Sequence, residues 1–374
     1  MNIGIDARLL ERKMSGIGRF LNTLLLELPS IDKSNKYFLF TYQKLKYNLD
    51  FYSLVPTFKS FLPQKLFSPF WINFILPFYL KKQKIDIFFS VNQLLPLTKV
   101  RNTKYILVLH DVIYKVDKSF HPFIYRKYLK FFTYFAIKSA DVIITVSDYS
   151  KKDILRYYKL SPEKIKVVYE AADKEFKDLN LSLEAKSNIR KKFELPEHTI
   201  LYVGMIENRK NIIGILNIAD EVYKKYPEVK FLLIGKIGYG GKKILTELSK
   251  RKNVIHLKNV DDNTLKHIYN IAYLFLFPSF YEGFGFPPLE AMQSGLPVLA
   301  SNTTSLKEIL DSSAILHDPN DYNSFAKDII RLIEDKNLYD EIRSLGYQRS
   351  KKFRIGSTAM EILNLFNSFD FNPS

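Results

Sequence analysis

Residues 199–235 read TILYVGMIENRKNIIGILNIADEVYKKYPEVKFLLIG and contain one complete strand–helix–strand pattern. An apolar run at 200–203 is followed by helical spacing over 212–225 and by a second apolar run at 230–234. The run FLLIG is apolar at nearly every position, which fits a strand buried on both faces of a parallel sheet. The stretch therefore predicts two parallel strands joined by a helix.

The same alternation extends through most of the 374 residues. Further strand candidates are 2–5, 37–41, 86–90, 105–109, 141–146 and 166–169, then 253–257, 273–277 and 297–300. Helical spacing recurs at 17–28, 122–137 and 322–334. The pattern pauses over the charged stretch 172–198, which we interpret as a linker with a leading helix. The chain is thus predicted to be an α/β protein with two Rossmann-like, doubly wound parallel-sheet domains.

The formal net charge of +17 is concentrated in the first half of the chain. Residues 1–175 hold 29 Lys and Arg against 15 Asp and Glu, whereas residues 176–374 hold 27 against 24. A basic surface attracts phosphates, acidic lipid headgroups or nucleic acid. Biased composition explains the total charge equally well, but not its asymmetry. The absence of cysteine excludes disulfide scaffolds and cysteine nucleophiles.

The longest apolar stretch, residues 66–80, is flanked by lysines and rich in aromatic residues. It is shorter than the ~20 residues that a membrane-spanning helix needs. Aromatic side chains between lysines suit the headgroup level of a bilayer. A buried helix of the first domain with basic ends is the alternative. No signal peptide is expected, because charged residues interrupt the N-terminal region.

The stretch 280–295, FYEGFGFPPLEAMQSG, carries the strongest functional signal. Gly283 and Gly285 permit a tight loop around Phe284, and the two prolines that follow suit the first turn of a helix. The free amides of that helix would favour an anion. Glu282 in the loop is a candidate acceptor for sugar hydroxyls, and Glu290 on the helix for two adjacent ribose hydroxyls. A glycine turn with two ordinary glutamates is the structural alternative.

Three further segments lie where loops should follow strands. Arg209 and Lys210, after Gly204, would neutralise a diphosphate without a metal ion, or form an exposed basic turn. Gly16 and Gly18 at a helix start would let a phosphate approach backbone amides, or form a flexible cap. His110 at a strand end would contact a sugar or the acceptor, or have a purely structural role.

Two segments rich in hydroxyl groups have structural readings of their own. Residues 147–153 predict an N-cap that opens a helix. Residues 301–306 are candidates for contacts with a base, ribose or phosphate, or for a helix cap. The other histidines show no metal-ligand spacing, and no D-x-D pair occupies a suitable strand–loop setting, so no metal is expected.

These strings together resemble the retaining glycosyltransferase family 4, which has the GT-B fold. The matching segments run in order from GIDAR and SGIGRF, through HDVIY and SDYSKKDI, to VGMIENRKN and FYEGFGFPPLEAMQSGLPVLASNTTSLKEI. They span most of residues 2–309. The resemblance implies an N-terminal acceptor-side domain over 1–175 and a C-terminal nucleotide-sugar domain over 176–354, facing each other across a cleft. A helix at about 355–374 would pack back on the first domain.

The resemblance also implies roles for the candidate residues. Glu282 would contact the donor sugar, Glu290 the ribose, and Arg209 and Lys210 the diphosphate. Gly16 and Gly18 would lie near the phosphates, and His110 near the reacting carbon. The other donor-site residues would be Gly204, Gly283, Phe284 and Gly285. Two positions depart from the family pattern, since Met205 stands where many members have arginine and the segment 168–173 lacks its usual glycine.

The sequence therefore predicts a retaining, metal-independent transferase without a cofactor, acting on a nucleotide-sugar donor and a glycan or lipid-linked glycan acceptor. The SGIGRF and ENRKN strings make GDP-mannose the first candidate donor. The leaving phosphate is expected to act as the base in a front-face displacement. We expect a role in cell-surface polysaccharide or lipopolysaccharide synthesis, in the cytoplasm or peripherally on the inner face of the cell membrane. Replacing Glu282 or Lys210 by Ala is expected to abolish transfer with folding intact.

Three other functions remain open at this stage. One is a non-catalytic scaffold subunit, against which the four charged residues argue. A second is a basic anion-binding or nucleic-acid-binding protein, although no helix–turn–helix, zinc finger or aromatic RNA motif is evident and no nucleic-acid partner is expected. A third is another nucleotide-sugar enzyme of the same fold, such as an epimerase.

Overall fold

The computed structural model describes residues 1–11, 16–42, 45, 49–57 and 64–369, with only the backbone at 64–66. The chain divides into two compact units. Unit 1 consists of Met1–Val116, Phe123–Glu170 and the segment that starts at Ile355. Unit 2 consists of Asp117–Pro122 and Ala171–Arg354.

Unit 1 is built on a seven-stranded sheet in which all neighbouring strands are parallel. The strands are β1 (Asn2–Asp6), β2 (Lys36–Thr41), β3 (Tyr52–Pro56), β4 (Ile87–Ser90), β5 (Lys104–Val108), β6 (Val142–Thr145) and β7 (Ile165–Val167). Their order is β3-β2-β1-β4-β5-β6-β7. The chain thus winds outward in both directions from the centre, which brings the carboxyl ends of all strands to one edge.

Helices cover both faces of this sheet. They are α1 (Gly16–Ile31), α2 (Gln64–Phe70), α3 (Leu76–Lys82), α4 (Ile113–Val116), α5 (Phe123–Ser139), α6 (Asp148–Tyr158) and, at the end of the chain, α15 (Ile355–Asn367). A π-helical turn, Trp71–Ile75, joins α2 to α3. On one face α15 packs against α1, and its Phe366 meets Phe89 of β4 edge to face at 5.5 Å. On the other face Trp71 and Ile137 share one hydrophobic cluster with Tyr105 of β5.

Unit 2 is built on a six-stranded sheet, again with parallel neighbours throughout. Its strands are β8 (Thr199–Val203), β9 (Lys230–Ile234), β10 (Val254–Leu257), β11 (Leu274–Phe277), β12 (Val298–Ser301) and β13 (Ile315–His317), in the order β10-β9-β8-β11-β12-β13. Its helices are α7 (Leu183–Lys192), α8 (Ile212–Tyr223), α9 (Gly241–Leu248), α10 (Asp262–Ile271), α11 (Phe286–Gln293), α12 (Thr304–Leu310), α13 (Tyr322–Glu334) and α14 (Lys336–Ser350). Because β8 and β11 are neighbours, the loops that follow them lie side by side.

The predicted fold class is confirmed, and each predicted strand is present with its ends shifted by at most two residues. Two strands were not predicted: β3, at one edge of the first sheet, and β13, at one edge of the second. The predicted N-cap is also confirmed, since Ser147 accepts a hydrogen bond from the Ser150 amide at 3.1 Å. Within the described part of the chain, no helix has the length and apolar character needed to cross a membrane.

Candidate functional site

The loop between β11 and α11 holds Glu282 in a buried position. All four residues of β11 are buried, and the chain then turns at Gly285, whose φ of 111° lies in the left-handed region that favours glycine. Pro287 and Pro288 fill the first turn of α11, where a missing amide hydrogen costs nothing. Only 6% of Glu282 is exposed, and the neighbouring Gly283 and Phe284 are buried as well. The turn therefore carries its glutamate inward rather than into solvent.

Two cations from the loop after β8 hold the carboxylate of Glu282. Lys210 Nζ lies 2.6 Å from Glu282 Oε1, and Arg209 Nη1 lies 3.1 Å from Glu282 Oε2. Arg209 also donates to the carbonyl of Tyr281 at 2.9 Å, while its own carbonyl accepts from the Phe280 amide at 3.0 Å. Both side-chain and backbone bonds thus join the two loops.

A second carboxylate, Glu207, completes this charged cluster. Its Oε1 lies 3.1 Å from Arg209 Nε and 2.9 Å from Arg209 Nη2. The cluster therefore holds two cations and two carboxylates and has no net formal charge. An approaching anion would have to draw the guanidinium and ammonium groups away from carboxylates that already bind them.

Burial and pairing act in opposite directions on the two buried members of the cluster. Burial raises the pKa of Glu282, but the positive charges of Lys210 and Arg209 outweigh it, so this pKa lies below its ordinary value. Burial and the nearby Arg209 lower the pKa of Lys210 more than Glu282 raises it. Glu282 is thus held as a carboxylate that can accept hydrogen bonds from hydroxyl groups.

Glu290 lies on the second turn of α11 and is also buried. Its Oε2 accepts a hydrogen bond from the hydroxyl of Tyr269 on α10 at 2.9 Å. The ring of Tyr269 is fixed in turn by edge contact with Phe176 at 5.4 Å and by stacking with Phe275 at 5.8 Å. The sequence analysis did not identify Tyr269, since no local pattern links α10 to α11.

The segment after β12 supports the backbone of the Glu282 loop. Thr304 Oγ1 accepts a hydrogen bond from the Glu282 amide at 3.1 Å, and Ser305 Oγ donates to the carbonyls of Glu282 at 2.9 Å and Phe284 at 3.1 Å. Thr304 has a φ of 52°, a strained value for a β-branched residue. At the N-cap of α12, the Thr303 side chain makes no capping bond, so the capping alternative for 301–306 is wrong.

Asn211 fixes the loop after β8 to its surroundings. It has a φ of 54°, and its side chain caps α8 by accepting from the Gly214 amide at 3.1 Å. The same side chain donates to the carbonyls of Pro278 at 3.1 Å and Pro319 at 2.7 Å. One buried amide therefore positions Arg209 and Lys210 relative to the Glu282 loop.

Gly204 lies where the loops after β8 and β9 meet backbone to backbone. A Cβ at Gly235 would lie 1.8 Å from the carbonyl oxygen of Gly204, and a Cβ at Gly204 would lie 2.5 Å from the Tyr202 hydroxyl. A side chain is thus excluded at Gly235, and a side chain at Gly204 would require the Tyr202 ring to shift. Met205, which stands where many family members have arginine, is half exposed next to this contact.

His110, Gly16 and Gly18 lie in unit 1, whereas the residues described so far lie in unit 2. His110 is buried at the carboxyl end of β5, and its Nδ1 lies 3.2 Å from Oε1 of Glu170, which is buried as well. Burial lowers the pKa of His110, but the charge of Glu170 outweighs it, so this pKa lies above its ordinary value. The sequence analysis noted the 168–173 segment only as a departure and did not predict that Glu170 would pair with His110.

Gly16 and Gly18 form the first turn of α1, where Gly16 is exposed and Gly18 is buried. One turn further along the helix, Phe20 meets the His110 ring edge to face at 6.3 Å. The structure thus brings the start of α1 and His110 into the same region of unit 1. Among the described residues, no group of three or more His, Cys, Asp or Glu side chains is arranged to hold a metal ion.

Two protein-family models match the chain in succession. Residues 14–176 match the model described as Glycosyltransferase Family 4, and residues 184–349 match the model described as Glycosyl transferases group 1. Together the two matches cover the greater part of both units. They also contain every candidate residue named above.

Individual proteins show the same relationship. The chain is 29% identical over 269 residues to O-antigen chain mannosyltransferase B of Escherichia coli, covering 70% of this chain and 69% of that protein. It is also 29% identical over 272 residues to the serotype-specific mannosyltransferase WbdA of Escherichia coli, covering 68% of this chain and 32% of that protein. The chain thus spans about a third of the length of WbdA.

A solved structure resembles the whole chain in fold. The structure of Alr3699/HepE from Anabaena in complex with UDP-glucose superposes with a TM-score of 0.74 at 17% identity, covering 98% of this chain and 99% of that one. At 17% identity, this comparison shows that the two chains share a fold and nothing more.

Proposed function

The chain belongs to the glycosyltransferases described as family 4 and group 1, and on this basis we propose that it transfers a sugar from a nucleotide diphosphate sugar to an acceptor hydroxyl. The observation that carries the proposal is the contact of Glu282 with both Lys210 and Arg209. A carboxylate that can accept hydrogen bonds from a sugar thus lies beside two cations that can bind a diphosphate. The three side chains recognise the two parts of one donor.

The binding of the diphosphate would rearrange this cluster. In the neutral cluster, Glu207 and Glu282 occupy the donors of Arg209 and Lys210. Phosphate oxygens would take over part of these bonds, and Glu282 would then accept from sugar hydroxyls. The buried setting strengthens each of these interactions relative to water. We propose that the positive charges of Arg209 and Lys210 replace a metal ion at the leaving group.

The proposed reaction is a front-face displacement with retention. The bond between the anomeric carbon and the leaving phosphate oxygen breaks, and the acceptor oxygen bonds to the same face of that carbon. The acceptor proton passes to an oxygen of the leaving phosphate, which serves as the base. Lys210 and Arg209 stabilise the negative charge that accumulates on the diphosphate.

Other residues take supporting roles in this proposal. Glu290, fixed by Tyr269, would accept hydrogen bonds from the ribose hydroxyls. The donor would approach the main chain at Gly283 and Gly285, which carry no side chain. Gly16, Gly18 and His110 of unit 1 would contact the phosphates and the transferred sugar, and no cofactor takes part.

We propose a mannosyl donor, with GDP-mannose first, and a glycan or lipid-linked glycan as the acceptor. Support comes from two Escherichia coli relatives, which are named as mannosyltransferases, one of them of the O-antigen chain. The solved complex of HepE contains UDP-glucose, so UDP-sugars are the natural competitors in a test. The enzyme would act in surface polysaccharide synthesis at the cytoplasmic face of the cell membrane, and the positive charge of residues 1–175 suits a phosphate-bearing acceptor there.

Thermal unfolding with a panel of nucleotides and nucleotide sugars, in the presence of a chelator, tests donor binding. A ligand at about a hundredfold its dissociation constant raises the free energy of unfolding by about 2.7 kcal/mol. We expect guanosine diphosphate compounds to stabilise the protein and Glu290→Gln to reduce that shift, whereas Glu228→Gln, at an exposed position, should retain it. Equal shifts in wild type and Glu290→Gln would contradict the ribose assignment.

Transfer itself is tested with the stabilising donor and a glycan acceptor, by assigning the anomeric configuration of the product by NMR. Retention supports the mechanism, and inversion overturns it. Nucleotide binding without turnover on any acceptor would favour a scaffold subunit. Binding to duplex DNA without any nucleotide-sugar effect would favour an anion-binding protein.

A further inference from the structure

Two helical segments of unit 1 expose large apolar side chains although their inner sides are well packed. In α2, the π-helical turn and α3, the aromatic residues Phe70, Phe74 and Phe78 recur every fourth position and are exposed, Phe74 by 70%. Trp71 and Leu76, between them, are fully buried. The exposed rings therefore form a row on the outer side of a helix that is otherwise anchored in the core.

The helix α5 repeats this arrangement. Among its 17 residues only Thr133, Ala136 and Ile137 are buried. Ile124 is 81% exposed and Phe131 53% exposed. The exposed stripe of α5 consists of Ile124, Lys127, Phe131, Tyr134 and Lys138, which are spaced by three or four residues and so share one side of the helix.

The two helical segments cover the same face of the seven-stranded sheet. Trp71, Ile72 and Leu76 from one segment and Ala136 and Ile137 from the other belong to a single hydrophobic cluster. Their outer sides consequently belong to one side of unit 1. We call the exposed apolar residues on this side the aromatic face. They are Phe70, Phe74, Phe78, Ile124, Phe131 and Tyr134.

The charged residues within the two helical segments are all cations. Residues 64–84 and 123–139 contain no Asp or Glu. The cations of these segments whose side chains the structure describes are Lys81, Lys82, Lys84, Arg126, Lys127, Lys130 and Lys138. The ammonium group of Lys138 lies 4.5 Å from the centre of the Tyr134 ring, and that of Lys127 lies 5.3 Å from the centre of the Phe123 ring. Cations and rings are thus interleaved at the surface.

We propose that the aromatic face docks unit 1 on an anionic lipid bilayer. Aromatic rings bury themselves at the headgroup level, and each lysine near an anionic surface adds attraction to acidic headgroups. A protein partner is disfavoured, because protein–protein interfaces are depleted of lysine and this surface is rich in it. The proposal extends the proposed lipid-linked acceptor, but it involves neither the donor nor the residues around Glu282.

Vesicle flotation of the full-length protein tests this proposal. Vesicles of phosphatidylcholine with phosphatidylglycerol are compared with vesicles of phosphatidylcholine alone, at low and high salt. We expect binding to the anionic vesicles, weakened by salt, and a loss of roughly tenfold in the partition coefficient for the double variant Phe74→Ser/Phe131→Ser. The matched control Leu26→Ser/Met360→Ser changes two exposed apolar residues of α1 and α15 and should bind as wild type.

A charge variant separates the two contributions. Lys127→Glu/Lys138→Glu should abolish the preference for anionic vesicles, because it removes two cations and adds two carboxylates beside the rings. Thermal unfolding verifies that each variant is folded. Failure of wild type to bind anionic vesicles, or wild-type binding by Phe74→Ser/Phe131→Ser, would overturn the proposal. So would a dimer in sedimentation that the aromatic substitutions dissociate, since a second copy would then occupy the face.

Nucleotide stabilisation of the same variants keeps the two proposals apart. Because Phe74 and Phe131 belong to unit 1 and the charged cluster belongs to unit 2, we expect donor binding to be unchanged in Phe74→Ser/Phe131→Ser. Absence of any nucleotide effect in wild type would count against the proposed function. Absence of vesicle binding alone would count against the docking surface.

Discussion

At the scale of single residues, the buried pair of Glu282 and Lys210 determines what a substitution can report. From the sequence alone, alanine at either position is expected to leave folding intact. Burial argues otherwise, because removing one partner of a buried ion pair leaves the other charge without water and without compensation. Arg209 would still bind Glu282 in Lys210→Ala, so we place the expected loss near 3 kcal/mol, at the lower end of the usual range.

We predict that the double variant Lys210→Met/Glu282→Gln folds with nearly wild-type stability and has no transferase activity. Both changes keep side-chain volume and remove the two charges together, which is often neutral for stability. Urea unfolding and a transfer assay would measure the two properties. The single variant Lys210→Ala is the control and should be less stable than the double variant. If the double variant were the less stable of the two, the pair would stabilise the fold beyond its role in binding.

Thr304 allows the hydroxyl and the strained backbone to be tested separately. Thr304→Val keeps the branched shape but leaves the Glu282 amide without its acceptor, so we expect a loss of about 1 kcal/mol in unfolding free energy. Thr304→Ser keeps the hydroxyl and removes the methyl group that makes a φ of 52° unfavourable, so stability should rise by up to about 1 kcal/mol. Calorimetry of both variants would show whether each substitution raises or lowers the free energy of unfolding. A more stable Thr304→Val would contradict the role of the hydroxyl.

His110 predicts a pH dependence of unit 1. Its pKa in the folded chain lies above the ordinary value of 6.5, so protonation favours the folded state. The stabilisation is fully present below about pH 6.5 and is lost as the pH rises through the folded pKa. The midpoint of thermal unfolding should therefore fall across this pH window in wild type but not in His110→Gln. An identical fall in both proteins would assign the effect to another group.

How much of the site could be predicted from sequence depended on whether the signal was local. Glu282, Arg209 and Lys210 stood out because glycines, prolines or a preceding strand marked their loops. Their direct contact was not predictable, since Lys210 and Glu282 are 72 positions apart and meet because β8 and β11 are neighbours in the sheet. The partner of Glu290 was missed for the same reason, because Tyr269 lies on another helix.

At the scale of secondary-structure elements, Asn211 connects the start of α8 to two other loops. An asparagine directly before an apolar helical pattern is itself a capping signal, so this residue could have been found from sequence. Its bonds to the carbonyls of Pro278 and Pro319 could not, because they depend on packing. The amide thus adds a tertiary function to an ordinary cap.

We predict that Asn211→Asp lowers the free energy of unfolding by about 3 kcal/mol. The carboxylate can still cap α8, but it cannot donate, so two buried carbonyls lose their partner. Urea unfolding measures the change, and Asn263→Asp, at an exposed position of α10, is the control with an expected effect within about 0.5 kcal/mol. Equal small effects for both substitutions would mean that the carbonyls find other donors.

The missed strands β3 and β13 lack the apolar run that marks the central strands. Strands such as β9 and β11 lie inside a sheet, where burial on both sides imposes an apolar run that the sequence displays. The edge strands β3 and β13 have a partner on one side only, and their mixed burial gives no such run. The strands β7 and β10 are edge strands as well and were predicted, so edge position alone does not explain why β3 and β13 were missed.

At the scale of the whole molecule, the division into two units depends on contacts that local sequence patterns do not predict. Asp117–Pro122 lies between two segments of unit 1 in sequence but belongs to unit 2. The sequence predicts one domain boundary near residue 175, and in the structure unit 2 resumes at Ala171. Each unit nevertheless has its own sheet and its own buried core.

We predict that core variants destabilise one unit at a time. Phe366→Ala opens a cavity beside Phe89 and should cost about 3–5 kcal/mol in unit 1. Hydrogen exchange should then show lost protection in β1 and β4 with β8 and β9 unchanged. Phe325→Ala, at a fully buried position of α13, is the reciprocal control and should act on β8 and β9 alone. Equal loss in both units after either substitution would mean that they unfold cooperatively.

The position of α15 determines when unit 1 can complete its fold during synthesis on the ribosome. Unit 1 begins at the first residue, but its core is closed by Phe366, which is synthesised after the whole of unit 2. The surface of α1 that α15 covers therefore stays exposed while residues 171–354 are synthesised and fold. Nascent chains stalled before residue 355 are where chaperones should bind this protein most strongly.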